Sequence, residues 1–560
     1  LTISEEDFNL LDEPWIVVLT PHGDEKQVSI LELFEKAPDL VTIGGEVPTQ
    51  SFAITRLLLA FLHRAIDGPD DAEQWAELWE ADALPMDRIN RYADEVRHRF
   101  GLFDAVAPFF QVPGLRTAKG EVSGLEKIVA DVPNGAPFFT TRSAASLERI
   151  DVAEAARWLV HTHAYDASGI KSGAVGDPNV KGGKGYPIGT GWSGQIGGVL
   201  PEGRNLHETL LLNLIARDAE NYVRINGEHD APPWERDVDG PRWEEDRPLT
   251  GAIDLYTWQT RRVRLAGDRH GVTGVLLANG DKILPQNRHV HEPHTAWRYS
   301  EPQTKKYGRD VYMPRMHDPY RSVWRGLEAM LPSISGRGRG DKQPFLAPRV
   351  FEWISSLVLD GHLPDYYVVR TRVIGAEYGP QSATFAEIVD DRLAMAAVVI
   401  NEQNVALGNT AKGAVDDAEQ AAGALWRFAE NIAQAAGAEP KSGAGGQARE
   451  TLYAALDKPY RDWLFRLRST TDTAAARAEW QRRVRVDCRP IVAELIQAAS
   501  PAAWRGREIN NRLVNVAVAE AWFNARLRQV LPAAFSNGEQ APDSPAGTDA
   551  VTTVNAEGQS

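Results

Sequence analysis

The spacing of apolar residues changes character twice along the chain. Near the start, "WIVVLT" (residues 15–20) is a β-branched apolar run, "PHGDEK" is turn chemistry, and "VSILELFEK" opens a helical period. Between residues 48 and 103, "QSFAITRLLLAFLHRAI", "DDAEQWAELWEAD" and "MDRINRYADEVRHRFGLF" repeat apolar positions at i, i+3 and i+4, which predicts three helices. "DVAEAARWLVHTHAYD" (151–166) predicts another, as does "LHETLLLNLIAR".

From about residue 249 to 374 the period shortens. "AIDLYTWQTRRVRL" and "DYYVVRTRVIGAEYG" alternate, and "GVLLANGDKIL" predicts a hairpin turning at Asn279-Gly280, the dipeptide a two-residue type I′ turn prefers. Strands and helices mixed without a βαβ rhythm predict an α+β domain over residues 1–383. Beyond it alanine becomes abundant. Amphipathic segments at about 384–400, 413–438, 446–500 and 504–533 predict an all-α four-helix bundle over 384–533. Residues 534–560 lack periodicity and predict a disordered tail.

Composition narrows the class. The 560 residues are 43% hydrophobic and 25% charged, ordinary for globular proteins. No apolar run reaches the roughly 18 residues of a membrane span. The opening residues carry acids and a proline where a secretory signal needs a basic start, so a cytoplasmic protein without membrane contact is expected. A single cysteine, Cys488, excludes an intramolecular disulfide and any multi-cysteine metal site. The formal charge of −16 argues against a free-standing protein that coats nucleic acid, yet leaves room for a local basic surface.

The candidate chemistry is sparse. "NVKGGKGYPIGTG" (179–191) holds five glycines and two lysines in thirteen residues. It lacks the G-x-x-x-x-G-K-[ST] order of a phosphate-binding loop, and a helix rather than a buried strand precedes it, so it is no dinucleotide fingerprint. Two readings remain: a surface loop, or a backbone that enters a narrow space with Lys181 and Lys184 drawn to phosphates. "HVHEPH" places His289, His291 and His294 together and raises the alternative of a metal-dependent hydrolase. His161 and His163 stand at i and i+2 of a helix and do not share a face. "RRVRVDCRP", "RGREINNRL", "RDWLFRLR" and "SGRGRGDK" are basic stretches. No catalytic triad order, carboxylate pair or nucleophile elbow stands out.

"FNLLDEPWIVV" changes the weighing. Its Asn9, Leu10, Leu11, Trp15, Ile16 and Val18 resemble the N-L-L-x-x-x-W-I-x-V opening of the CasA family, the large subunit of the type I-E CRISPR surveillance complex Cascade. The glycine-rich stretch leading into "LHETLLLNL" resembles that family too, as does the order of an α+β domain before a helical bundle. The resemblance implies a non-enzymatic subunit without a cofactor. Such a subunit reads the protospacer-adjacent motif (PAM) of double-stranded target DNA from the minor groove and starts strand separation for crRNA pairing (the R-loop). Its implied partners are the crRNA-bearing backbone, the small subunits and a separate helicase-nuclease. The resemblance places PAM contacts on Gly182, Gly183, Lys184 and Gly185. It puts a minor-groove lysine at Lys282, a strand-separating wedge at Gln381 and Ser382 in "EYGPQSAT", and a loop aromatic near the crRNA at Phe138 or Phe139. Several relatives carry a middle-domain cysteine cluster that can hold zinc; "LAGDRHGVTG" stands there in this chain, without a cysteine, so no bound metal is expected.

Overall fold

Leu10, Leu11, Trp15 and Ile16 are completely buried in the computed structural model, which makes the opening segment a packing anchor. The Trp15 indole N–H donates to the Leu10 carbonyl at 3.0 Å, and Asn9 Oδ1 accepts the Leu11 N–H at 3.0 Å. This fixes the entry of strand Ile16–Leu19, the centre of an antiparallel sheet with Glu25–Val28 and Thr42–Ile43 on either side. The structure describes residues 7–132, 140, 142, 147–218, 223, 229–245, 247–332, 343–401 and 404–536. It divides into two units, one formed by residues up to 415 together with 457–473, the other by 416–456 and residues from 474 onward.

The first unit is organised around helix Pro48–Ala65, which is buried on nearly every side, polar residues included. A helix enclosed all round must satisfy its polar side chains inside the protein. Arg56 does so through a two-pronged pair with Glu292, both contacts 2.8 Å, with side chains 1% and 0% exposed. The Trp192 indole N–H donates to the same carboxylate at 2.5 Å. Against this helix lie Val152–Tyr165, capped by the Asp151 carboxylate on the Ala153 N–H (2.8 Å), and a sheet ordered Phe385–Ala396, Val368–Tyr378, Gly198–Glu202, all antiparallel. An antiparallel ribbon, Arg261–Asp268 with Gly271–Asn279, also packs against Val152–Tyr165. A further small sheet is ordered Tyr312–Pro314, Trp297–Tyr299, Phe345–Leu346.

Three expectations from periodicity are corrected. The ribbon turns at Asp268–Gly271, not at Asn279-Gly280. Gly280 is there because a Cβ would stand 2.4 Å from the Gln259 carbonyl, so close backbone approach rather than a turn selects it. Residues 385–396 form a strand instead of a helix, since eleven paired positions with Val368–Tyr378 outweigh the local alanine and acid content. Residues 504–533 are not one helix. Arg507–Ile509 and Arg512–Val514 form a hairpin whose central Asn510 and Asn511 have φ of 52° and 59°, and helix Val516–Val530 follows.

The second unit is mainly helical. It takes the part of Val405–Ala436 from residue 416, the part of Ala444–Phe465 up to 456, most of Thr473–Gln497, and Val516–Val530. Buried Asp417 accepts from Arg477 at 2.7 and 2.9 Å and from Gln481 at 3.0 Å. Buried Glu430 accepts the backbone N–H groups of Lys441 and Gly445 at 3.1 and 3.0 Å, holding the turn into the next helix. Burial pushes the Cys488 thiol up to about 12, so it stays protonated and inert. No described helix is long and apolar enough to cross a membrane.

Candidate nucleic-acid interface

The glycine-rich stretch is a short hairpin rather than an irregular loop. Lys184–Gly185 pairs with Lys171–Ser172. The Lys181 N–H donates to the Lys184 carbonyl at 3.0 Å, and the Lys184 N–H returns to the Lys181 carbonyl at 3.2 Å. Between them Gly182 and Gly183 have φ of 58° and 73°, the paired left-handed residues of a type I′ turn. A Cβ on either would meet nothing within 4 Å, so backbone handedness selects glycine at the tip and leaves its surface bare. Lys181 and Lys184 flank that surface, both exposed. Gly185 is glycine for a different reason: a Cβ there would stand 3.0 Å from the Asn279 amide nitrogen, and that amide donates to the Tyr186 carbonyl at 2.7 Å. Asn279 thus fastens the hairpin to the end of the ribbon.

The roots of the hairpin are held by charge. Asp166, at the end of helix Val152–Tyr165, takes the Lys171 ammonium at 2.6 Å and the Arg261 guanidinium. Burial alone would push the Asp166 carboxyl up; the neighbouring Lys171 and Arg261 hold it below its ordinary value. Arg261 also donates to the carbonyls of Ala167 and Gly189, at 3.1 and 2.8 Å. One buried cation therefore ties together the helix end, the residue that follows it and the far end of the glycine stretch at Gly189.

The same short segment carries a second projection. Between strands Val368–Tyr378 and Phe385–Ala396 the chain turns through Pro380–Ser382, where Gln381 (φ 58°, ψ 19°) and Ser382 (φ 53°) are both left-handed without being glycine. The sequence predicted a helix from about residue 384; the structure makes the segment the tip of a long β-ribbon instead. The Ser168 N–H donates to the Ser382 carbonyl at 2.7 Å, and the Tyr378 hydroxyl donates to the Tyr165 carbonyl at 2.6 Å. Gln381 stays exposed at the apex.

Of the residues singled out from sequence, Gly182, Gly183, Lys184 and Gly185 share one turn, and Gln381 and Ser382 share another tied to residue 168. Lys282 follows Asn279 by three residues. Its N–H is on the Glu244 carbonyl (3.0 Å) and its ammonium on Glu245 (2.7 Å), with the side chain partly exposed. Phe138, Phe139 and the "SGRGRGDK" loop lie outside the described residues. The histidine cluster is corrected. His289 packs edge-on against Trp297 and Tyr312, each 5.8 Å away. His294 is buried, with Nε2 on Asn213 Oδ1 at 3.1 Å and Nδ1 facing Arg56 at 3.4 Å. Burial and the Arg56 charge push it down to about 3. A fixed guanidinium beside the ring repels a divalent cation, and no group of three or more ligating side chains placed for a metal exists among the described residues. Sequence reasoning missed Asp166, Arg261, Ser168 and Tyr378. It noticed Asn279, but as a turn residue rather than the fastener it is.

Residues 9–490 match the family model for CRISPR-associated protein Cse1. The crystal structure of Thermobifida fusca Cse1 superposes with a TM-score of 0.88 at 47% identity, covering 94% of this chain and 99% of that one. The CRISPR-associated protein CasA/Cse1 of Thermus thermophilus is 32% identical over 345 residues, which are 60% of this chain and 62% of that protein's length. A chain from a CRISPR RNA-guided surveillance complex shares the fold, with a TM-score of 0.65 at 16% identity, covering 88% of this chain and 100% of that one.

Proposed function

Because this chain belongs to the CRISPR-associated Cse1 family, we propose that it is the DNA-recognition subunit of a crRNA-guided surveillance complex, reading the PAM of a target duplex from the minor groove and starting strand separation. The observation that carries this reading is the convergence of two projecting tips on one short segment. The bare glycine turn is rooted through Asp166, Lys171 and Arg261, and the strained Gln381-Ser382 tip is tied to Ser168.

Each tip suits a different task. The minor groove is only about 6 Å wide and presents A·T and T·A as nearly the same acceptor pattern. A turn whose apex lacks Cβ atoms fits such a groove, while Lys181 and Lys184 lie where phosphates would flank it. Lys282, released from Glu245, supplies a donor for base-edge acceptors. A left-handed apex held by backbone bonds is a stiff wedge that can enter the step next to the PAM and offset part of the few kcal/mol of unstacking. Guide pairing supplies the remaining specificity, so the protein needs to read only shape and a short tag. In this reading the subunit does no chemistry, works in the cytoplasm and leaves cleavage to a recruited helicase-nuclease. Its second unit, as a four-helix bundle, steadies the displaced strand beside the small subunits.

The test is a gel-shift series in the reconstituted complex over all PAM variants, with and without the double change Gly182→Ala and Gly183→Ala. Wild type should rank the PAMs, and the variant should lose both rank and affinity. A variant that still ranks them as wild type does would refute the role of the turn.

A further inference from the structure

A cleft of about 550 Å³ opens directly beside the Ser382 tip and reaches Thr190 at the end of the glycine stretch. Its volume lies within the roughly 300–1,000 Å³ of small-molecule sites. One wall is the segment that carries Met316, Asp318 and Tyr320, and the other includes Glu377 at the base of the tip. Tyr320 is 75% exposed and Met316 41%, an unusual amount of apolar surface to leave in water. The Tyr320 segment is nevertheless firmly placed. Asp318 Oδ1 accepts the Tyr320 N–H at 2.9 Å, the Asp318 carbonyl accepts the Arg321 N–H at 3.1 Å, and Asp391 accepts the Val323 N–H at 2.9 Å.

The chemistry of the lining selects its occupant. Asp318 and Glu377 are exposed carboxylates, so the cleft repels a phosphate backbone. Carboxylates do accept hydrogen bonds from the exocyclic amines and ring N–H groups of nucleobases. An exposed aromatic face on a fixed loop offers the flat stacking surface that single-stranded nucleic acid uses. The position completes the case, because a base leaving the helix as the tip enters is released next to Ser382, which lines the cleft.

Building on the proposed PAM-reading role, we propose that this cleft captures one unpaired nucleobase beside the wedge, stacked on Tyr320. Holding the base there would keep it from re-pairing, turning a transient opening into a committed one. The captured base belongs to the step the tip enters, so the site is one nucleotide wide.

The experiment uses the reconstituted complex and target duplexes carrying a single abasic site, walked over the first three nucleotides beyond the PAM on each strand. Tyr320→Ala should weaken binding of the intact duplex about 5- to 150-fold, the range found for removing one stacking platform. Tyr320→Phe, which keeps the ring, should bind within about twofold of wild type. At one abasic position the Tyr320→Ala loss should vanish, because the base that would stack is already gone. If the loss is the same on every abasic duplex, or absent on the intact one while wild type still discriminates PAMs, the capture site is wrong and the PAM-reading role stands. If wild type binds PAM-bearing and PAM-free duplexes alike, both fall.

Discussion

Replacing Gln381 and Ser382 together by glycine should move stability and function in opposite directions. In the free protein both residues sit at left-handed φ, which costs an L-residue roughly 1–2 kcal/mol each. Glycine removes that strain but widens the unfolded ensemble by about 0.4–1 kcal/mol per position. The balance is a net gain of about 1 kcal/mol for the pair. The tethers survive, because they are backbone bonds: Ser168 N–H to the Ser382 carbonyl, Ser382 N–H to the Gly379 carbonyl and Gly379 N–H to the Thr384 carbonyl, at 2.7, 2.9 and 2.9 Å. The melting temperature of the isolated variant should therefore hold or rise by no more than about 2 °C.

In the assembled complex the same change strips the wedge of its side chains. If they offset about 2 kcal/mol of unstacking at the PAM edge, affinity for a fully paired target should fall about 30-fold. A target already unpaired beside the PAM no longer needs that work, and the variant should bind it within about threefold of wild type. The assay is a titration of both duplexes with wild-type and variant complexes under one salt condition. Equal losses on the two substrates would refute the wedge. A melting temperature lowered by several degrees would show instead that the side chains hold the fold.

Gly182→Ala should lower target affinity while costing the free protein only about 1 kcal/mol, whereas Gly185→Asp should also lower the melting temperature, since its Cβ would press on the Asn279 amide at 3.0 Å; calorimetry beside gel shift separates the two. Lys282→Ala should change stability by under about 0.5 kcal/mol, because its partly exposed pair with Glu245 is worth little, yet compress the spread between good and poor PAMs by roughly 1–3 kcal/mol; a uniform loss with a shallower salt slope would make it a phosphate contact only. Burial pushes His63 and His163 down to about 4 and His161 and His294 to about 3, so their contribution is complete above about pH 6.5 and is lost as pH falls from there through 4 to 3. The cost at the acid end is on the order of 3 kcal/mol for His63 and His163 and on the order of 5 kcal/mol for His161 and His294, and urea midpoints followed by tryptophan fluorescence should drop across that window; a flat profile between pH 6.5 and 4 would contradict their burial as neutral rings.

Periodicity located the helices well where one face or all faces meet a core, as at Pro48–Ala65, Ala72–Glu80, Met86–Val96 and Val152–Tyr165, because burial repeats with the backbone. The opening residues were legible only as a family motif, and the structure shows why they recur together: Leu10, Leu11 and Trp15 are completely buried. The failures share one cause. Residues 385–396 contain enough alanine and acid to read as helix, and only their partner strand, drawn from residues 368–378, makes them extended. Asn279-Gly280 carries the strongest short-range turn signal in the region, yet its glycine answers to the Gln259 carbonyl and its asparagine to the Tyr186 carbonyl.

The candidate site shows why such residues stay hidden. Its glycines were visible, because a left-handed turn demands glycine at a fixed offset and lysines mark its flanks. What makes the turn part of a larger surface was not visible, because the joining atoms are mostly backbone. The carbonyls of Tyr165, Ala167 and Gly189, the N–H of Ser168 and the carbonyl of Ser382 carry no side-chain identity, and any residue would supply them. Beyond the Tyr378 hydroxyl, that junction is written into the sequence by Asp166, Lys171 and Arg261, an acid and two bases of which Arg261 stands 95 residues away. Arg261→Lys therefore isolates the junction. It keeps the charge beside Asp166 but cannot reach Ala167 and Gly189 together through a planar fork. The glycine turn should then loosen at its far root, with target affinity falling more than stability. An unchanged affinity would mean that the two tips act independently, and that their convergence on residues 165–171 is a matter of folding alone.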